Sequence, residues 1–171
     1  HIVKKLPNQT IFFTPDKNLG HYVSTQVPEK HFILNDGFCP RHDSIRTEAV
    51  ALAKEQHPEA LFLAHPECSK DVLAMADYIG STSGIIQYAT ASPAKEFIIG
   101  TENGVMYELQ TKNPGKVFYP AMEDQYCINM KKVTLEKVRN CLRDETNEVH
   151  VDAELSRRAV HVLNRMLDLA K

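Results

Sequence analysis

Histidine, cysteine, carboxylate and hydroxyl side chains recur along this sequence in small groups, and several have the types and spacing that chemistry needs. His65 and Glu67 flank Pro66, which sets an imidazole and a carboxylate two residues apart on an extended segment, facing the same way. Such a pair suits acid–base work or metal ligation, and equally an exposed loop pair. His42, three residues after Cys39, could cover the same pocket or act as a simple capping residue. Ser81-Thr82-Ser83-Gly84 presents hydroxyls and free backbone N–H groups at a helix start, able to hold a phosphate or carboxylate or to serve as an ordinary cap. Asp16-Lys17-Asn18 reads first as turn chemistry. Cys39 and Cys127 lie far outside zinc-ribbon spacing, and both fall in loops, where exposure favours a ligand or reactive thiol over a small buried apolar group. Cys68 adjoins Glu67 and is ambiguous, while Cys141 falls within a helical pattern that points to core packing.

These groups need elements to position them. Short apolar runs at Thr10–Phe13, His31–Leu34, Ala60–Ala64, Tyr78–Gly80, Glu96–Gly100 and Val117–Tyr119 predict buried parallel strands. Helical stripes lie between them. One is Ile45, Ala49, Leu52 and Ala53 after an Asp43 cap; another is Val72, Leu73 and Ala76 after Ser69; a third starts at Asn103 or Gly104 and runs through Leu109. After Cys127 the pattern turns helical only, with Thr134 capping Leu135, Val138 and Leu142, and Asp152 capping Leu155, Ala159, Val162, Leu163, Met166 and Leu167. Residues 147–151 read as an extended link. Strands alternating with helices predict an α/β fold on a parallel sheet. Every chemical group, Thr101 and Glu102 included, then falls just past the carboxyl end of a strand, the edge where parallel sheets bind ligands.

Composition bounds the reading. The chain has 171 residues, 43% hydrophobic and 25% charged, with a net charge of −2. These values describe a globular chain rather than a disordered one. No basic stripe points to nucleic acid, and no apolar run reaches the roughly 18 residues of a membrane span. Four scattered cysteines without secretory signals imply reduced thiols and a cytoplasmic protein.

Six segments together carry a family resemblance. Pro15-Asp16-Lys17-Asn18-Leu19-Gly20, Gly37-Phe38-Cys39-Pro40-Arg41-His42, His65-Pro66-Glu67-Cys68, Ser81-Thr82-Ser83-Gly84, Thr101-Glu102 and Cys127-Ile128-Asn129-Met130-Lys131 resemble quinolinate synthase in order and approximate spacing. The resemblance implies an iron–sulfur enzyme of NAD biosynthesis that condenses iminoaspartate with dihydroxyacetone phosphate, with loss of phosphate and water. It implies three similar three-layer parallel-sheet α/β domains in pseudo-threefold symmetry, followed by C-terminal helices. Each domain would supply one cysteine to a 4Fe-4S cluster whose fourth iron stays open as a Lewis acid. By the same likeness Cys39 and Cys127 are two of the cluster ligands. Glu67, His65 and His42 are catalytic; Ser81, Thr82 and Met130, with His65 and Glu67, bind substrate.

Family members run to roughly twice this length, in keeping with three domains of about 100 residues each. The resemblance therefore implies that residues 1–41 are the C-terminal part of the middle domain, 42–127 the third domain and 128–171 a C-terminal helical segment. The first domain and the third ligand cysteine would lie in a missing N-terminal part, so the chain alone should be inactive. Two other readings use the same residues: a divalent-metal hydrolase on His42, His65 and Glu67, and a non-catalytic phosphate-metabolite-binding α/β module using Ser81 and Thr82.

Overall fold

The computed structural model describes residues 1–171. In chain order the elements are α1 (Ile2–Lys5), β1 (Thr10–Phe13), α2 (Lys17–Thr25), β2 (His31–Leu34), α3 (Pro40–Asp43), α4 (Thr47–Gln56), β3 (Leu61–Ala64), α5 (Lys70–Leu73), β4 (Tyr78–Ile79), α6 (Thr82–Ala91), β5 (Glu96–Gly100), α7 (Val105–Lys112), β6 (Val117–Pro120), a 3-10 turn (Met130–Lys132), α8 (Leu135–Asp144) and α9 (Ala153–Ala170). The chain divides into two compact units. Thr10–Cys127 holds every strand; His1–Gln9 and Ile128–Lys171 form the other.

All strand pairs in the first unit are parallel. A four-stranded sheet runs in the order β4-β3-β5-β6, and β1 pairs with β2 in a separate two-stranded sheet. The continuous apolar runs of β3 and β5 follow from burial on both faces, and alternation divides their side chains. Phe62, Ala64 and Ile98 pack on one face with Val50 and Ala53 of α4 and Val72 and Leu73 of α5. Leu63, Phe97 and Ile99 pack on the other with Ile85, Ile86 and Ala89 of α6 and Val105 and Leu109 of α7. The result is the expected three-layer α/β arrangement around a central parallel sheet. The last turn of α6 is closed by Lys116, whose ammonium donates to the carbonyls of Ala89 and Ser92 at 2.5 and 2.6 Å.

Local chemistry sets the helix starts. Asp16, Ser81, Thr134 and Asp152 each accept a backbone N–H from the first turn of α2, α6, α8 and α9. Ser69 does the same for α5. The expected Asp43 cap is not one. Asp43 ends the single-turn α3, and its carboxylate accepts the Asn18 amide at 2.8 Å. α4 starts four residues later, at Thr47, with no side-chain cap, and Leu52 of the predicted stripe faces solvent while Val50 is buried.

In the second unit α1 packs against α9. Most apolar residues of α8 and α9, Leu135 and Leu142 among them, are exposed. Cys141 on α8 is half-buried rather than in a core, and its thiol donates to the Thr146 carbonyl at 3.0 Å. No helix is long and apolar enough to cross a membrane.

Candidate active site

The carboxyl ends of β1, β2, β3 and β5 are tied together by side-chain hydrogen bonds. Asn18, just after β1, donates from its amide to Asp43 and to the Glu67 carbonyl at 3.1 Å. His42, carried by α3 after β2, reaches both Glu67 after β3 and Thr101 after β5, each at 2.9 Å. His65 stacks on His42, with ring centroids 4.3 Å apart and planes 14° from parallel.

This network assigns protons. Glu67 as a carboxylate can only accept, so His42 Nδ1 donates to it, and Nε2 of the neutral ring accepts the Thr101 hydroxyl. Burial lowers the His42 pKa despite the opposing pull of Asp16 and Glu102, which keeps the ring in that neutral form. His65 is pushed down to about 4, first by burial and then by His42, against the pull of Glu67 and Asp16. Its Nδ1 accepts the Glu67 backbone N–H at 3.3 Å, which leaves the proton on Nε2, free to donate. The site therefore sets a proton-accepting carboxylate beside two neutral imidazoles that act as N–H donors.

Two thiols lie on loops of the same unit. Cys39 precedes α3, and its Sγ, a His42 ring nitrogen and a Glu67 carboxylate oxygen lie within 4.8 Å of one another. Its backbone N–H is held by Asp16 Oδ2 at 2.8 Å. Cys127 follows β6 on a loop whose N–H is held by Glu102 Oε1 at 3.2 Å. Both thiols are half-buried and free of disulfides. Cys68 differs: it is fully buried, it donates to the Gly100 carbonyl, and burial pushes its thiol up to about 12. It is an inert core residue.

The remaining candidates lie on other elements. Ser81 and Thr82 open α6 and are exposed. Ser81 Oγ accepts the Gly84 N–H at 3.2 Å, so its own hydroxyl proton is free for a ligand. Met130 starts the 3-10 turn in the other unit and is exposed. Both ring nitrogens of His42 are already engaged, so a metal held by His42, His65 and Glu67 would have to displace one of these bonds.

One residue escaped the sequence reading. Gln125 is fully buried; its amide donates to the carbonyls of Ile99 and Thr101, and its Oε1 accepts the Met122 N–H at 2.7 Å. It staples the loop leading to Cys127 onto the end of β5. Asp16, read as turn chemistry, is likewise buried and structural to the Cys39 loop. The recurrent spacing of a carboxylate to a cysteine, 23 residues in one case and 25 in the other, was the signal available for both loops.

Fold and site define a class: a parallel α/β protein with acid–base groups and soft thiol donors gathered at the carboxyl edge of its sheets. Thiolates are the donors that iron–sulfur centres use, so Cys39 and Cys127 fit as ligands of such a group. Comparison with known proteins narrows the class. Residues 1–168 match the family model described as Quinolinate synthetase A protein, and the chain belongs to that family. It is 51% identical over 169 residues to quinolinate synthase of Caldicellulosiruptor saccharolyticus, covering 99% of this chain and 56% of that protein. Similarity to the quinolinate synthases of Thermodesulfovibrio yellowstonii (45% over 168 residues, 98% and 55%) and Clostridioides difficile (45% over 170 residues, 99% and 56%) is of the same extent. The chain thus spans about half the length of the curated relatives it matches.

Proposed function

We propose that this chain is the C-terminal portion of a quinolinate synthase of NAD biosynthesis, condensing iminoaspartate with dihydroxyacetone phosphate to quinolinate with loss of phosphate and water. In this reading residues 1–41 complete a middle α/β domain, 42–127 form the third and 128–171 are a C-terminal helical segment. The first domain, with the third ligand cysteine, belongs to the length of the relatives that this chain does not span. A cytoplasmic location goes with the biosynthetic role.

Cys39 and Cys127 are two thiolate ligands of a 4Fe-4S cluster. When bound, that group supplies an open iron as a Lewis acid for a substrate hydroxyl or carboxylate. Proton transfers belong to the chain. Glu67 takes and returns protons during enolisation and dehydration, with His42 donating to it from Nδ1 and fixing its carboxylate. His65 is neutral at physiological pH and offers Nε2–H to a developing substrate oxyanion. Ser81 and Thr82 hold the phosphate or carboxylate at the α6 N-terminus, where the helix dipole favours negative charge. The family likeness makes Met130 a further substrate-binding residue.

The observation that carries this reading is the convergence of Cys39, His42 and Glu67 within 4.8 Å in a chain of this family. The engaged ring of His42 favours it over a hydrolytic metal site. In the protein extended to the full length of its relatives, Glu67→Gln should retain iron and lower quinolinate formation by about 10²–10⁴-fold, the usual weight of a positioned acid–base group. Turnover within a few-fold of the unsubstituted enzyme, with iron unchanged, would remove Glu67 from the proposed chemistry.

A further inference from the structure

Two buried carboxylates are placed alike in the two sheets. After β1, Asp16 accepts the Leu19 N–H with Oδ1 at 2.8 Å and the Cys39 N–H with Oδ2 at 2.8 Å. After β5, Glu102 accepts the Gly104 N–H with Oε2 at 2.6 Å and the Cys127 N–H with Oε1 at 3.2 Å. In both cases one oxygen binds the start of the helix that follows the strand, α2 or α7. The other holds a cysteine on the loop beyond the next parallel strand, β2 or β6. The spacings, 23 and 25 residues, differ by two, and the residue types differ as well.

We propose that Asp16 and Glu102 are a matched pair of positioning residues, each fixing one cysteine loop so that its thiol is held in place for the cluster; this rests on the ligand roles given above to Cys39 and Cys127. The charges themselves argue for a geometric role. A carboxylate beside a thiol opposes thiolate formation, so neither is there to activate the sulfur. What each supplies is a charge-assisted bond to the ligand residue's own amide, which removes loop freedom before any metal arrives. Burial protects that bond, since Asp16 and Glu102 are 4% and 9% exposed. Both oxygens are needed, because one is committed to the helix and the other to the cysteine.

Asp16→Asn and Glu102→Gln test this in the full-length protein, since an amide keeps the shape and a single acceptor oxygen. After anaerobic reconstitution, the rate of iron loss to a chelator and the electron paramagnetic resonance spectrum of the reduced cluster are recorded. Thr134→Ala, which removes only the α8 cap, serves as a control for lost stability. Each carboxamide variant should release iron roughly 10–100-fold faster, as loss of a residue that orients a metal ligand does, with a shifted spectrum. Asp16→Glu and Glu102→Asp, which keep two acceptor oxygens, should restore part of the retention. Release rates and spectra like those of the unsubstituted protein, with only the melting temperature lowered as in the control, would overturn the proposal. Cys39→Ala and Cys127→Ala, run alongside, separate the two claims. Undiminished iron in those variants would refute the ligand assignment itself and the proposal with it; lost iron there with normal retention in the carboxamides would refute only the positioning role.

Discussion

Two imidazole rings stacked 4.3 Å apart repel each other when both carry protons, and burial adds to that cost at His65. Protonation then favours the unfolded chain, whose histidine titrates near 6.5. The stabilising contribution of neutral His65 is fully present above pH 6.5 and is lost as pH falls toward the folded value of about 4. Across that window the loss amounts to roughly 3 kcal/mol. Urea unfolding at pH 7 and near pH 4 should show His65→Asn flattening this dependence by about that amount; an unchanged slope would contradict the account. At this scale the site was only partly legible. The strand-end histidines, Glu67 and both loop cysteines carry reactive groups that declare themselves in the sequence. Asp16 and Gln125 act through backbone amides and carbonyls contributed by distant residues, and a side chain that only holds backbone looks like any turn or surface residue until the chain is folded.

Gly37 shows how one loop element depends on its neighbour. A Cβ there would meet the Pro15 carbonyl oxygen at 2.5 Å and the Asn35 amide at 2.8 Å, and the Gly37 carbonyl accepts the Lys17 N–H. The backbone oxygen cannot step aside as a flexible side chain would, so Gly37→Ala should displace the segment that carries Cys39. Thermal unfolding should register a loss of about 1–3 kcal/mol, and iron retention should fall with it. A variant with unchanged stability and retention would show that this close approach is dispensable. The elements themselves were largely readable because β3 and β5 are apolar without interruption and capping residues precede α5, α6, α8 and α9, whereas α2 was missed because its Asp16 cap reads as turn chemistry. Asp43 misled because a capping residue type was spent on a contact with Asn18, across 25 residues. The one-turn α3 is too short to leave a periodic signal, yet it carries His42 into the site.

For the whole molecule, the decisive contrast lies between its two sheets. The four-stranded sheet has helices on both faces, whereas β1 and β2 form a two-stranded parallel pair that leaves Phe12, Ile33 and Leu34 exposed. Parallel sheets are ordinarily covered on both faces, so β1 and β2 have the character of part of a larger layer. The four-stranded sheet also repeats the order strand, helix, parallel strand, cysteine that β1, α2 and β2 present. On the proposed reading of a three-cysteine cluster, the two thiols here leave its protein ligation incomplete. The measurement that bears most directly on this account is iron and acid-labile sulfide per chain, with quinolinate formation, after anaerobic reconstitution of this chain and of a protein extended to its relatives' full length. The account predicts about four irons and product formation only in the longer protein. A full cluster and quinolinate formation from residues 1–171 alone would contradict it.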